Sequence, residues 1–61
     1  MIEVFCFTAE FAGDCRREII LASDLKDSDY RWLRSLAESG KAAVLPNREI
    51  ISNVTIYAEE V

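Results

Sequence analysis

The sequence predicts a small α+β domain in the order ββαββ. Its mixed four-stranded sheet has the tentative strand order 2-1-4-3, with one helix packed on one face. Three observations predict it. Two stretches rich in β-branched and aromatic residues flank Gly13. Residues 27–39 carry helically spaced apolar side chains. A short and a long strand-like stretch then meet at Pro46-Asn47. With 61 residues the chain has room for one domain, 1–61. A domain this short buries only ~60% of its unfolded surface and gains from a disulfide, a metal or a partner chain.

Residues 2–11 and 16–23 read as the first two strands. Glycine at the first central position of a two-residue loop suits a type II′ hairpin turn. That turn sets Ala12 opposite Cys15, Glu10 opposite Arg17, Phe7 opposite Ile20, Cys6 opposite Leu21 and Phe5 opposite Ala22. Glu10 and Arg17 are then an opposite-charge cross-strand pair.

Residues 27–39 follow as the helix. At 100° per residue, Tyr30, Trp32, Leu33, Leu36 and Ala37 fall in one arc, and Asp27, Arg31, Arg34, Ser35 and Glu38 in the other. This is an amphipathic pattern. Asp27, or else Asp24, is expected as N-cap, and Gly40 at the C′ position. Asp27 and Arg31 stand at i,i+4 in the favourable order.

Residues 41–45 read as a short strand, 46–49 as a turn and 50–59 as a long strand. Strict alternation puts Ile50, Ser52, Val54, Ile56 and Ala58 on one face of the long strand. Ile51, Asn53, Thr55 and Tyr57 take the other. A helix between the second and third strands makes those two parallel. The long strand needs a second neighbour for its backbone groups, and the first strand is the natural one.

Both faces of the first strand are apolar, so either has the volume to take the helix. Ile2, Val4 and Cys6 share one face with Ile19 and Leu21. Phe5, Phe7 and Phe11 share the other with Ile20 and Ala22. A hairpin with one wet face alternates apolar and polar residues, and this one does not. Covering three such side chains is worth roughly 1.5–3 kcal/mol each, comparable with the whole stability of a small domain. The expectation is that a partner covers the second face, foremost a second copy of the chain. The contact residues expected are Phe5, Phe7, Phe11 and Tyr57, with Trp32 beside them.

The seven basic and eleven acidic residues give a net charge of −4, which argues against a nucleic-acid partner. All of that excess lies in residues 1–30. Arg16, Arg17 and Arg48 would have to share one side to bind nucleic acid, and the predicted sheet sets their two turns at opposite ends. No run approaches the ~18 apolar residues of a membrane span. The N-terminus has an acid where a secretory signal has a basic region, so a cytoplasmic protein is expected.

Histidine is absent. That removes Ser-His and Cys-His nucleophile pairs and the commonest metal ligand. The two cysteines, Cys6 and Cys15, are too few for a closed zinc site and too far apart in the hairpin for a disulfide. Cys6 reads as a core residue and Cys15 as an exposed turn residue. No phosphate-binding loop is present. No catalytic, cofactor-binding or metal-binding residue is therefore assigned.

The resulting expectation is a non-enzymatic, acidic protein-interaction module, a homodimer that also binds a cellular or host protein. The alternative is an acidic inhibitor that mimics nucleic acid on a basic protein surface. A short chain beginning at methionine fits a bacterial or phage accessory protein.

Overall fold

The computed structural model describes residues 2–60. Its elements are β1 (Ile2–Phe11), β2 (Asp14–Leu21), a 3₁₀ turn (Ala22–Asp24), α1 (Asp27–Ser39), β3 (Ala43–Val44) and β4 (Ile50–Glu59). The sheet order is β2-β1-β4-β3, as the sequence predicts.

The sheet is not mixed. All three neighbouring pairs are antiparallel. The expected parallel relation of β2 and β3 requires the helix to return the chain along a whole strand before β3 begins. Here α1 itself makes most of that climb. It starts near the end of the sheet where β2 finishes, with Tyr30 bonded to Glu3. The two residues of β3 then pair with Ile50 and Ile51 at the other end. β3 completes an upward run, so β4 descends antiparallel to β1.

This arrangement corrects a second expectation. The β1–β2 turn and the β3–β4 turn lie at the same end of the sheet, linked by Arg16 Nη2 bonded to Glu49 Oε2 at 3.0 Å. Arg16 is neutralised there by Glu18 and Glu49, so the shared end is not a free basic patch.

The first turn is Ala12-Gly13, one residue earlier than expected. Both residues have positive φ, 53° and 86°, the signature of a type I′ turn. Phe5 therefore faces Ile20, Cys6 faces Ile19, Thr8 faces Arg17 and Glu10 faces Cys15. The expected Glu10/Arg17 pair is not formed. Each partner moves by two positions, an even number, so every β2 side chain keeps its expected face.

β4 does not alternate strictly. Cys6 faces Thr55 but Thr8 faces Ser52. Asn53 and Val54 together stand opposite Phe7, and Asn53 has φ 54°. This is a β-bulge, and it reverses the phase of the strand. Ile51, Val54 and Ile56 all turn towards α1, while Ser52, Thr55 and Tyr57 turn away. The expected faces, with Ile51 opposed to Val54, assumed an unbroken strand.

The second hairpin closes over Pro46, Asn47 and Arg48. Arg48 N–H donates to the Leu45 carbonyl at 2.9 Å, and Leu45 N–H to the Glu49 carbonyl at 2.8 Å. Asn47 Oδ1 accepts from Glu49 N–H at 2.9 Å, and Arg48 takes φ 72°. Proline presets the first central φ of such a type I turn, and the left-handed third residue restores the register.

Helix α1 has the expected limits. Its N-cap is Lys26, not Asp27 or Asp24, and no side chain caps it. Asp27 and Asp29 lie inside the first turn, where their charge favours the free amides and the dipole. Gly40 ends the helix at φ 71°, donating to the Leu36 carbonyl. Arg34 pairs with Glu38 along the helix, whereas the expected Asp27–Arg31 ion pair is not formed.

The core lies between α1 and the sheet. Phe5, Phe7, Ala9, Leu33, Ile51 and Val54 are its buried members. The Tyr30 ring stands edge-on to Phe5, centroids 5.5 Å apart at 90°, a favoured aromatic geometry. No helix is long and apolar enough to cross a membrane among the described residues.

Candidate functional site

Alternate residues of a strand point to opposite faces. Because Phe5, Phe7 and Ala9 face α1, Ile2, Val4, Cys6 and Thr8 face away. Register puts Ile19, Leu21 and Arg17 on the same side from β2, and Tyr57 and Thr55 from β4. No element of the described chain lies over this open face.

Its centre is nonetheless dry. Val4 stands between Leu21 and Tyr57, and Cys6 between Ile19 and Thr55. Both are under 6% exposed. Arg17 Nη2 donates to Cys6 Sγ at 2.8 Å, and Thr55 Oγ1 to the Cys6 carbonyl at 3.4 Å. The flanking side chains lean over the small central ones and expose their own outer surfaces. Ile19 is 65% exposed, Leu21 42%, Tyr57 41% and Ile2 37%. The result is a contiguous apolar patch at one end of the face. Thr8, Glu10, Arg17 and Ser52 make the other end polar.

The five expected contact residues separate. Tyr57 belongs to the open face. Phe5 and Phe7 do not: both are buried under α1. Phe11 lies at the end of β1 opposite Asp14 and is exposed. Trp32 is exposed on the helix side. Ile19, Leu21 and Ile2 join Tyr57 on the open face; their signal in the sequence is the shared face with Val4 and Cys6, which the larger phenylalanines mask.

Two charged clusters brace the fold. Tyr30 Oη donates to Glu3 Oε1 at 2.7 Å and accepts from Arg34 Nη1 at 3.0 Å. The Arg34 pKa is raised, first by its hydrogen bond to Tyr30. The Arg16 pKa is raised, first by its hydrogen bond to Glu18 and then by the charge of Glu49. Both cysteines are free, Cys6 buried and Cys15 exposed. Among the described residues no cluster of three or more metal-ligating side chains occurs. No protein-family model, curated protein or solved structure matches the chain.

Proposed function

We propose that the protein is a binding module whose open sheet face pairs with the same face of a second copy. The observation that carries this reading is the exposed patch of Ile2, Ile19, Leu21 and Tyr57 over an already dry centre. Contiguous apolar surface of this kind marks interfaces.

Size supports it. The molecule exposes 4574 Å², against about 4,000 Å² for a typical folded monomer of its mass. Its radius of gyration is 11.7 Å, against about 10.5 Å for a compact chain of this length. The chain is more elongated and exposes more surface than a compact domain of its length. Its extents of 37 × 20 × 20 Å give a broad face of at most about 740 Å². Each partner in a standard stable interface contributes ~800 Å², so even a face-to-face pair over the whole sheet falls at the small end of the range.

The strength expected is modest. Covering the exposed parts of the four side chains is worth roughly 1 kcal/mol each per copy. The sum over two copies, about 8 kcal/mol, exceeds even the low end of the ~4–15 kcal/mol cost of association by only about 4 kcal/mol. A concentration-dependent pair no tighter than about millimolar follows. The test is a mixed sample of isotope-labelled and unlabelled protein at high concentration. Intermolecular nuclear Overhauser contacts to the methyl groups of Ile19 and Leu21 are expected. Intermolecular contacts confined to α1, or none at all, would refute the pairing.

A further inference from the structure

Helix α1 lies over the middle of the sheet and leaves the helix side of β2 uncovered. Between them is an open groove of about 450 Å³. Phe7 and Ile51 form its floor, and Ile20 and Trp32 stand on opposite walls. Its rim carries Glu18, Glu49 and Asp29 against a single cation, Arg16. We propose that this groove binds a short basic segment of a partner protein. An apolar side chain of the segment sits between Ile20 and Trp32, and a neighbouring Arg or Lys meets the rim carboxylates.

Arg16 shows what the rim accepts. Its guanidinium bridges Glu18 and Glu49, so the two carboxylates are already spaced to share one planar cation. The Arg16 side chain is 59% exposed, against 37% for Glu18 and 17% for Glu49, so the guanidinium is the solvent-side member of the bridge. An incoming guanidinium can take its place on the two carboxylates while Arg16 turns to water. Trp32 is 39% exposed, so indole surface is available to the apolar side chain of the segment.

Charge selects the occupant. The four rim groups sum to −2, three acids against one base. A rim of −2 favours a cationic segment and disfavours nucleic acid. The volume falls within the ~300–1,000 Å³ range of small-ligand sites, enough for one or two side chains of a segment rather than a folded domain. The groove lies on the opposite side of the sheet from the open face, so this inference does not rest on the self-pairing.

Trp32 is the only tryptophan, so its emission reports on the groove. The probe is an acetylated, amidated peptide alternating Arg and Leu, with a Glu–Leu peptide of equal length as control. The expected result is a saturable emission shift with the Arg–Leu peptide alone. Glu18→Gln with Glu49→Gln is expected to weaken binding about fivefold or more, and Asp29→Asn about twofold. Glu59→Gln with Glu60→Gln removes the same charge away from the groove and leaves affinity unchanged. An amide spectrum of each free variant checks that it is folded. Absence of a saturable shift would overturn the proposal, as would equal weakening by the two double variants.

Discussion

Ile19 and Cys6 are direct cross-strand partners on the open face, yet Ile19 is 65% exposed and Cys6 only 5%. Edge-strand side chains shield a small central one, with Arg17 Nη2 donating to the Cys6 sulfur at 2.8 Å and no second layer of the same chain. The open face is thus apolar at depth as well as at its surface.

This shielding predicts thiol reactivity. Cys15 is exposed and serves as an internal control. In the native protein Cys6 is expected to react with a maleimide at least ~10-fold more slowly than Cys15. Ile19→Ala should narrow that gap while the fold persists. Equal rates for the two thiols in the wild type would show that the leaning side chains do not cover the centre.

Ala12 occupies a left-handed position that an alanine reaches at a cost of roughly 1–2 kcal/mol. Asn-Gly is the preferred pair for a type I′ turn. Ala12→Asn is therefore expected to stabilise the fold by about 0.5–1 kcal/mol. Thermal unfolding should show a rise in Tm of about 2–8 °C. A fall in Tm would place the turn elsewhere and restore the type II′ register.

The bulge at Asn53 makes the opposite prediction for a β-branched residue. Asn53 is exposed with φ 54°. Asn53→Val raises strand propensity on paper but forces a strained backbone, and should cost about 1–2 kcal/mol. Asn53→Gly should be tolerated or mildly stabilising. Urea unfolding of the two variants decides the matter, and a stabilising valine would contradict the bulge.

Tyr30 contributes through its ring and its hydroxyl separately. Tyr30→Phe keeps the edge-on contact with Phe5 and removes the bonds to Glu3 and Arg34. It should cost about 1 kcal/mol. Phe5→Ala opens the core and should cost about 3–5 kcal/mol. Equal losses in denaturant unfolding would mean that the hydroxyl network, rather than packing, holds the helix to the sheet.

The element order and the helix limits were legible because each rests on local periodicity, and the strand order because the length of β4 demands a second neighbour. The two-sided apolar character of β1 was legible too, and it led to the open face. What the sequence hid was phase. Ala12 gives no glycine-like warning that it will take positive φ, so the turn was placed one residue late. Ser52 in an otherwise apolar phase was the trace of the bulge at Asn53. Strict alternation passed over it and so divided Ile51 from Val54. Which face α1 covers followed from three-dimensional packing. Phe5 and Phe7 fill the space under Leu33 and Tyr30, so the side chains that looked most like contacts became the core. The groove beside β2 had no linear signature, since its rim is assembled from β2, α1 and the second turn.

Solution mass by light scattering over a concentration range tests the self-pairing most directly, with Ile19→Asp as the partner variant. Ile19 is exposed, so the substitution should cost the single chain at most about 1 kcal/mol. The wild type is expected to rise from the 6.9 kDa of one chain towards twice that value as the concentration approaches about 1 mM. Ile19→Asp should stay at one chain with an unchanged amide spectrum. A wild-type mass fixed at one chain up to about 1 mM, or a variant that associates like the wild type, would contradict the open face as the surface where two copies meet.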